Sequence, residues 1–122
     1  MFLADTSVWI DHLRHGDPLL AGLLREDAVL IHPLIIEEIA CGHLVNRKEI
    51  LSLFEALPRS PEIEHGEILY FLAHHHLAGR GIGVADAHLL ASARLAGTGL
   101  WSRDKNLSFI AHDLGLEAPD KS

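Results

Sequence analysis

The chain has 122 residues, 48% of them hydrophobic and 22% charged, the composition of a folded globular protein built around one core rather than of a disordered chain. Its net charge of −7 argues against a general affinity for nucleic acid, although between residues 80 and 105 Arg80, Arg94, Arg103 and Lys105 outnumber Asp86 and Asp104 by two. The longest apolar run, Ile68–Ala73, falls far short of the ~18–20 residues of a membrane span, and the first residues lack the pattern of a signal peptide.

Short apolar segments alternate with helical ones. Phe2-Leu3-Ala4 predicts a buried strand, and Asp5-Thr6-Ser7 then caps a helix running through Trp9, Ile10 and Leu13. Asp17-Pro18 starts a second helix through Leu19–Leu24, since proline suits the first turn. Ala28–Ile31 predicts a strand, and Pro33 opens a helix that fades near Gly42. Asn46–Leu57 is amphipathic and ends before Pro58. Ile63–Ala78 predicts a longer helix closed by Gly79. After a glycine-rich loop, Val84–Ala96 forms a helix stopped by Gly97. Gly99-Leu100-Trp101 is the next strand, Lys105–Leu114 the last helix, and an edge strand is expected near Leu116.

Strands separated by helices predict a parallel sheet, because parallel neighbours need long crossovers. The expected fold is α/β, a three-layer α/β/α sandwich with a small, mainly parallel central sheet, forming a single domain over residues 1–122. In such sheets ligands gather outside the carboxyl ends of the strands. The single cysteine, Cys41, cannot form an internal disulfide and suits a reducing compartment, so a soluble cytoplasmic protein is expected.

At that edge the sequence places acids. Asp5 ends the first strand, Asp104 lies just past the late one, and Asp86 sits in the first turn of the helix after the glycine-rich loop. Each alone is explained by helix capping and the helix dipole. Asp86, however, shares a helical face with Leu89, Leu90 and Ala93, so it is expected to point toward packed structure. The helix after Pro33 adds Glu37 and Glu38 on an otherwise apolar stretch, and one of them is expected to approach the interior. Periodicity does not choose between them. Converging carboxylates repel one another unless cations are present. Oxygen-only ligands select hard cations such as Mg²⁺, and such a site suits hydrolysis of a phosphodiester.

The arrangement resembles the PIN-domain ribonucleases, and among them the VapC toxins of type II toxin–antitoxin pairs. Phe2-Leu-Ala-Asp-Thr-Ser-Val-Trp-Ile-Asp11 is similar to the family's opening strand with its first acid and hydroxyl pair. Glu38-Ile-Ala-Cys-Gly42 is similar to its second acid motif, which selects Glu38 over Glu37. Gly79–Ser92 and Leu100-Trp-Ser-Arg-Asp-Lys105 are similar to its third and fourth. The resemblance implies an acidic Mg²⁺ or Mn²⁺ site of Asp5, Glu38, Asp86 and Asp104. Asp5 and Asp86 would be the direct ligands, Glu38 would bind through water or orient the nucleophile, and Asp104 would support the metal or a second ion. Thr6 and Ser102 would supply supporting hydroxyls, Ser102 standing where the family usually has threonine. It further implies cleavage of structured RNA such as transfer RNA, a block of translation, a homodimer, and a VapB-like antitoxin laid over the toxin.

Arg80, Arg103 and Lys105 flank the third and fourth acids and could hold RNA phosphates, or could simply be solvated surface. Trp9 with Leu13, and Leu20 with Leu23 and Leu24, could line an antitoxin groove, although helical spacing favours core packing. His74-His75-His76 cannot converge on one ion from a helix, where successive side chains point ~100° apart. Cys41 reads as a small buried apolar residue. A phospho-acceptor receiver domain fails for want of a mid-chain aspartate, and a D-x-D phosphatase fails on Asp5-Thr6-Ser7. The remaining alternative is a catalytically silent PIN scaffold that binds RNA or protein; the survival of all four acids speaks against it.

Overall fold

Strand β1 (Phe2–Ala4) lies in the middle of a three-stranded sheet, between β2 (Val29–Leu30) and β3 (Gly99–Trp101), and both neighbours run parallel to it. The register sets Leu3 opposite Leu30 and Leu100, and Ala4 opposite Trp101. All five side chains are buried, as expected of parallel strands covered on both faces. Helices α1 (Thr6–His15) and α2 (Pro18–Arg25) cross from β1 to β2. Helices α3 (Pro33–Cys41), α4 (Arg47–Ala56), α5 (His65–His74) and α6 (Val84–Ala96) cross from β2 to β3, and α7 (Lys105–Asp113) follows. The computed structural model describes residues 1–120; Lys121 and Ser122, at the end of the expected domain, lie outside the described residues. Helices sandwich the small all-parallel sheet in the expected three-layer α/β/α arrangement.

The chain leaves β1 toward one side of the sheet and returns on the other, so the switch point falls at the carboxyl end of β1, where Asp5 stands. Packing fixes that edge. Leu3, Leu90, Leu100, Ile110 and Trp101 are each at most 1% exposed and belong to one continuous cluster. Full burial of such a side chain contributes about 1.5–3 kcal/mol. Trp9 and Leu20 are also buried in this cluster, which leaves neither free to line a groove.

Several expectations are corrected. The helix expected over Ile63–Ala78 spans His65–His74. It closes on His76, which takes a left-handed φ of 54°, while His76 N–H donates to the Ala73 carbonyl and Leu77 N–H to that of Leu72. That is a Schellman ending with Leu77 as its buried apolar contact, formed before Gly79 is reached. Cys41, expected inside, is exposed at the last turn of α3. Glu37 and Glu38 are both exposed, because α3 buries the Ile35–Ile39 stripe and turns the acids outward. Ile31, expected in the second strand, instead makes an isolated parallel bridge to Arg59.

No strand forms at Leu116 among the described residues. Its carbonyl accepts from Leu100 N–H at 3.4 Å, while its own N–H turns back to the Ala111 carbonyl. This segment nevertheless crosses β3 closely. A Cβ on Gly99 would lie 1.9 Å from the carbonyl oxygen of Glu117 and 3.0 Å from Phe2 Cδ1. Backbone would have to move, so Gly99→Ala is expected to cost about 1–3 kcal/mol and lower Tm by several degrees in a thermal melt.

His32, 2% exposed, caps α3 by accepting the Leu34 N–H on Nδ1 at 3.1 Å, which places its proton on the buried Nε2. Burial holds its pKa below the ordinary 6.5; the charge of Glu62 opposes this, and His88 and Arg59 add to it. The unfolded chain therefore takes up a proton first. The stability this group contributes is complete above pH 6.5 and is lost as pH falls through that value toward the lowered one. His32→Asn retains a capping oxygen and removes the titration. Melts from pH 8 to 5 are expected to show a smaller loss of Tm than wild type, with part of the slope left to His75, which burial shifts the same way.

Candidate active site

Asp5 ends β1 and becomes the N-cap of α1, because a short acid at that position can accept the orphan N–H groups of the first turn. Its Oδ1 accepts from Ser7 N at 3.0 Å, Val8 N at 3.3 Å and the Ser7 hydroxyl at 2.5 Å. Its Oδ2 accepts from the Ser102 hydroxyl at 2.5 Å, across 97 positions of sequence. The two hydroxyls are themselves held. Ser7 Oγ accepts from Arg103 N at 2.9 Å, and Ser102 Oγ from Asp104 N at 3.0 Å. Asp5 is 7% exposed, so its carboxylate stands at the sheet edge in one orientation.

Each of the other acids belongs to a different helix. Glu38 on α3 accepts from the Thr6 hydroxyl at 3.0 Å, which ties it to the residue after Asp5. Asp86 occupies the third position of α6, where Gly83 N–H donates to Oδ2 at 3.4 Å. Its carboxyl is pushed above the ordinary 3.8 by burial; the Gly83 bond opposes this, and the charges of Asp5 and Asp104 raise it further. Asp104 caps α7 through Asn106 N and Leu107 N and is exposed. The first turn of α7 also fixes the glycine loop before α6, since Asn106 Nδ2 donates to the Arg80 carbonyl at 2.8 Å.

The cations fare differently. Arg103 is ion-paired with Asp17, with Asp11 at 3.3 Å and with Asp120 at 3.8 Å. Arg80 is half-buried and Lys105 exposed, and neither forms a salt bridge among the described residues. None of the four acids has a cationic partner among those residues either. Asp86 thus senses Asp5 and Asp104 with no ion-paired countercharge among the described residues, and the donors are all oxygen. That set fits a hard divalent cation. No three His, Cys, Asp or Glu side chains among the described residues converge as direct ligands. An ion held here would take one or two carboxylates and keep part of its water, the habit of Mg²⁺.

The sequence profile of the PIN domain matches residues 2–113 of the chain. The chain belongs to the PIN-domain family. Within the family it is similar to Ribonuclease VapC32 of Mycobacterium tuberculosis, in both strain CDC 1551 / Oshkosh and strain ATCC 25618 / H37Rv. Identity is 44% over 117 residues, covering 95% of this chain and 94% of each relative, so it is a VapC PIN domain.

The PIN domain brings Asp5, Ser102 and the Asp104 backbone into one hydrogen-bonded unit, joins Thr6 to Glu38, and sets Asp86 within electrostatic reach of Asp5 and Asp104. Ser7 belongs to the hydroxyl pair that follows the first acid, but sequence reasoning gave it no part in holding Asp5. Its signal was a second hydroxyl two positions after an acid that caps a helix, a spacing that lets the side chain return to the carboxylate.

Proposed function

We propose that this PIN domain is a divalent-metal-dependent endoribonuclease, the toxin half of a toxin–antitoxin pair, which cuts structured RNA such as transfer RNA and so blocks translation. The observation that carries the reading is Asp86, half-buried beside the charges of Asp5 and Asp104 with no cationic partner among the described residues. Likeness to a protein named a ribonuclease supports the chemistry.

Asp5 and Asp86 would hold Mg²⁺ or Mn²⁺, with Asp104 in support. When bound, the ion supplies Lewis acidity and countercharge for the phosphodiester. Ser7 and Ser102 hold the Asp5 carboxylate in one orientation, and Thr6 holds that of Glu38. Glu38 is exposed and tied through Thr6 to the residue after Asp5, and in this reading it orients the attacking water and accepts its proton. Water oxygen bonds to phosphorus, the bond to the 3′ oxygen breaks and that oxygen takes a proton from solvent, and the products are a 5′-phosphate and a 3′-hydroxyl. The surplus of acid on the chain suits a basic VapB-like segment as the inhibiting partner, and a homodimer is the expected assembly.

Purified protein is expected to cut a small-RNA pool into discrete fragments in Mg²⁺ or Mn²⁺ and to stop in EDTA. Intact RNA with folded protein and metal present would instead favour the silent binding module.

A further inference from the structure

Arg103 stands between two residues of the candidate site, Ser102 and Asp104, yet its guanidinium is committed elsewhere. Nη2 pairs with Asp17, Nε lies 3.3 Å from Asp11, and Nη1 lies 3.8 Å from Asp120. Cζ lies 5.2 Å from the ring centroid of Trp101, a residue 1% exposed. Each nitrogen thus meets a carboxylate from a different part of the chain: helix α1, the N-cap of α2, and the segment after α7. A planar fork with fixed donor directions serves the three acids from three separate nitrogens, a reach that the single nitrogen of an ammonium lacks.

One guanidinium among three carboxylates leaves a local surplus of negative charge. A phosphate approaching it would meet net repulsion, so this is a poor place for an RNA contact. The backbone on either side of the guanidinium shows what the network does hold. Arg103 N–H donates to Ser7 Oγ and Asp104 N–H to Ser102 Oγ, the two hydroxyls that grip Asp5. Asp17 is itself anchored, since its Oδ1 accepts from Leu19 N and Leu20 N.

We infer that Arg103 is a positioning residue: its ion-pair hub with Asp11, Asp17 and Asp120 clamps the Ser102–Asp104 loop against α1 and α2, and so fixes the hydroxyls that orient Asp5. Its effect on cleavage rests on the ribonuclease reading; its effect on the loop does not.

The test pairs kinetics with amide hydrogen exchange on Arg103→Gln, Asp17→Asn and the double variant of the whole chain. Asparagine caps a helix as well as aspartate does, so Asp17→Asn removes the charge and keeps the cap. Arg103→Gln is expected to lower kcat about 10- to 100-fold with KM within about twofold, the signature of a misplaced site. Asp17→Asn should move kcat the same way, and the double variant should fall no lower than Arg103→Gln. Both single variants should lose at least about tenfold protection at the Arg103 and Asp104 amides while β1 stays protected. If Arg103→Gln loses protection throughout, Asp17→Asn decides. A raised KM with unchanged kcat and a shallower salt dependence would overturn the proposal in favour of a phosphate contact. Unchanged loop protection would overturn it outright. If wild type cuts no RNA, the proposed function fails, and exchange alone still judges the clamp.

Discussion

Asp5→Asn is expected to abolish RNA cleavage while the protein remains folded. The amide carbonyl can still accept from Ser7 N and Val8 N, so the cap of α1 survives. The amide nitrogen would face the hydroxyl that now donates to Oδ2, and Ser102 can turn to accept. The stability cost should therefore be about 1 kcal/mol. What cannot survive is the negative charge at the switch point. Losing several kcal/mol of transition-state stabilisation corresponds to about 10³-fold or more in rate. Cleavage assays, a thermal melt and a Mg²⁺ titration on one preparation check all three parts. Cleavage at the wild-type rate by Asp5→Asn would remove it from the site.

Asp86→Asn should lose activity on the same scale and yet melt higher than wild type at neutral pH in the absence of divalent ions. Its raised pKa means that the folded state holds the proton more tightly than the unfolded chain. The resulting penalty is absent below pH 3.8, grows as pH rises through that value, and is complete above the raised one. Asparagine keeps an acceptor for Gly83 N–H and escapes the penalty. The gap in Tm should close at acid pH. It should also close when Mg²⁺ is added, because only wild type gains from binding it. A lower Tm for Asp86→Asn at pH 7 would show that burial of the charge is compensated in the protein itself. On this reading stability and function are opposed at Asp86, as is common where charge is gathered for chemistry.

Much of this was legible because the signals are local. Pro18, Pro33 and Gly97 mark helix ends through backbone constraints that hold in any context, and the helices begin or stop within a residue or two of them. The three strands follow from short apolar segments flanked by turn and cap residues. The end of α5 was not legible in this way. Gly79 is the better left-handed residue by intrinsic preference, but burial of Leu77 draws the reversal to His76. The same limit applies at the acids. Sequence order places Asp5 and Asp104 at one edge, whereas the helical wheel left Glu37 and Glu38 equivalent. Tertiary contact separates them, because Glu38 is the one that meets the Thr6 hydroxyl. Arg103 shows the limit from the other side: proximity to an acid motif suggested a phosphate contact, and sequence alone gave no sign of the three aspartates that pair with its guanidinium.

The hydrogen bond from Ser102 to Asp5 also sets a timetable. The central strand is made before both of its neighbours, and the second of them is encoded almost a hundred residues later. A nascent chain halted before Gly99 already carries Asp5, Glu38 and Asp86 but has nothing to pair with the open flank of β1. Contacts of such long sequence separation form late, after the entropy of closing the intervening chain has been met. The acids therefore gather only once Gly99–Trp101 has been made, and a chain truncated before it would lack Asp104 and would also lack the strand that brings the remaining acids to one edge.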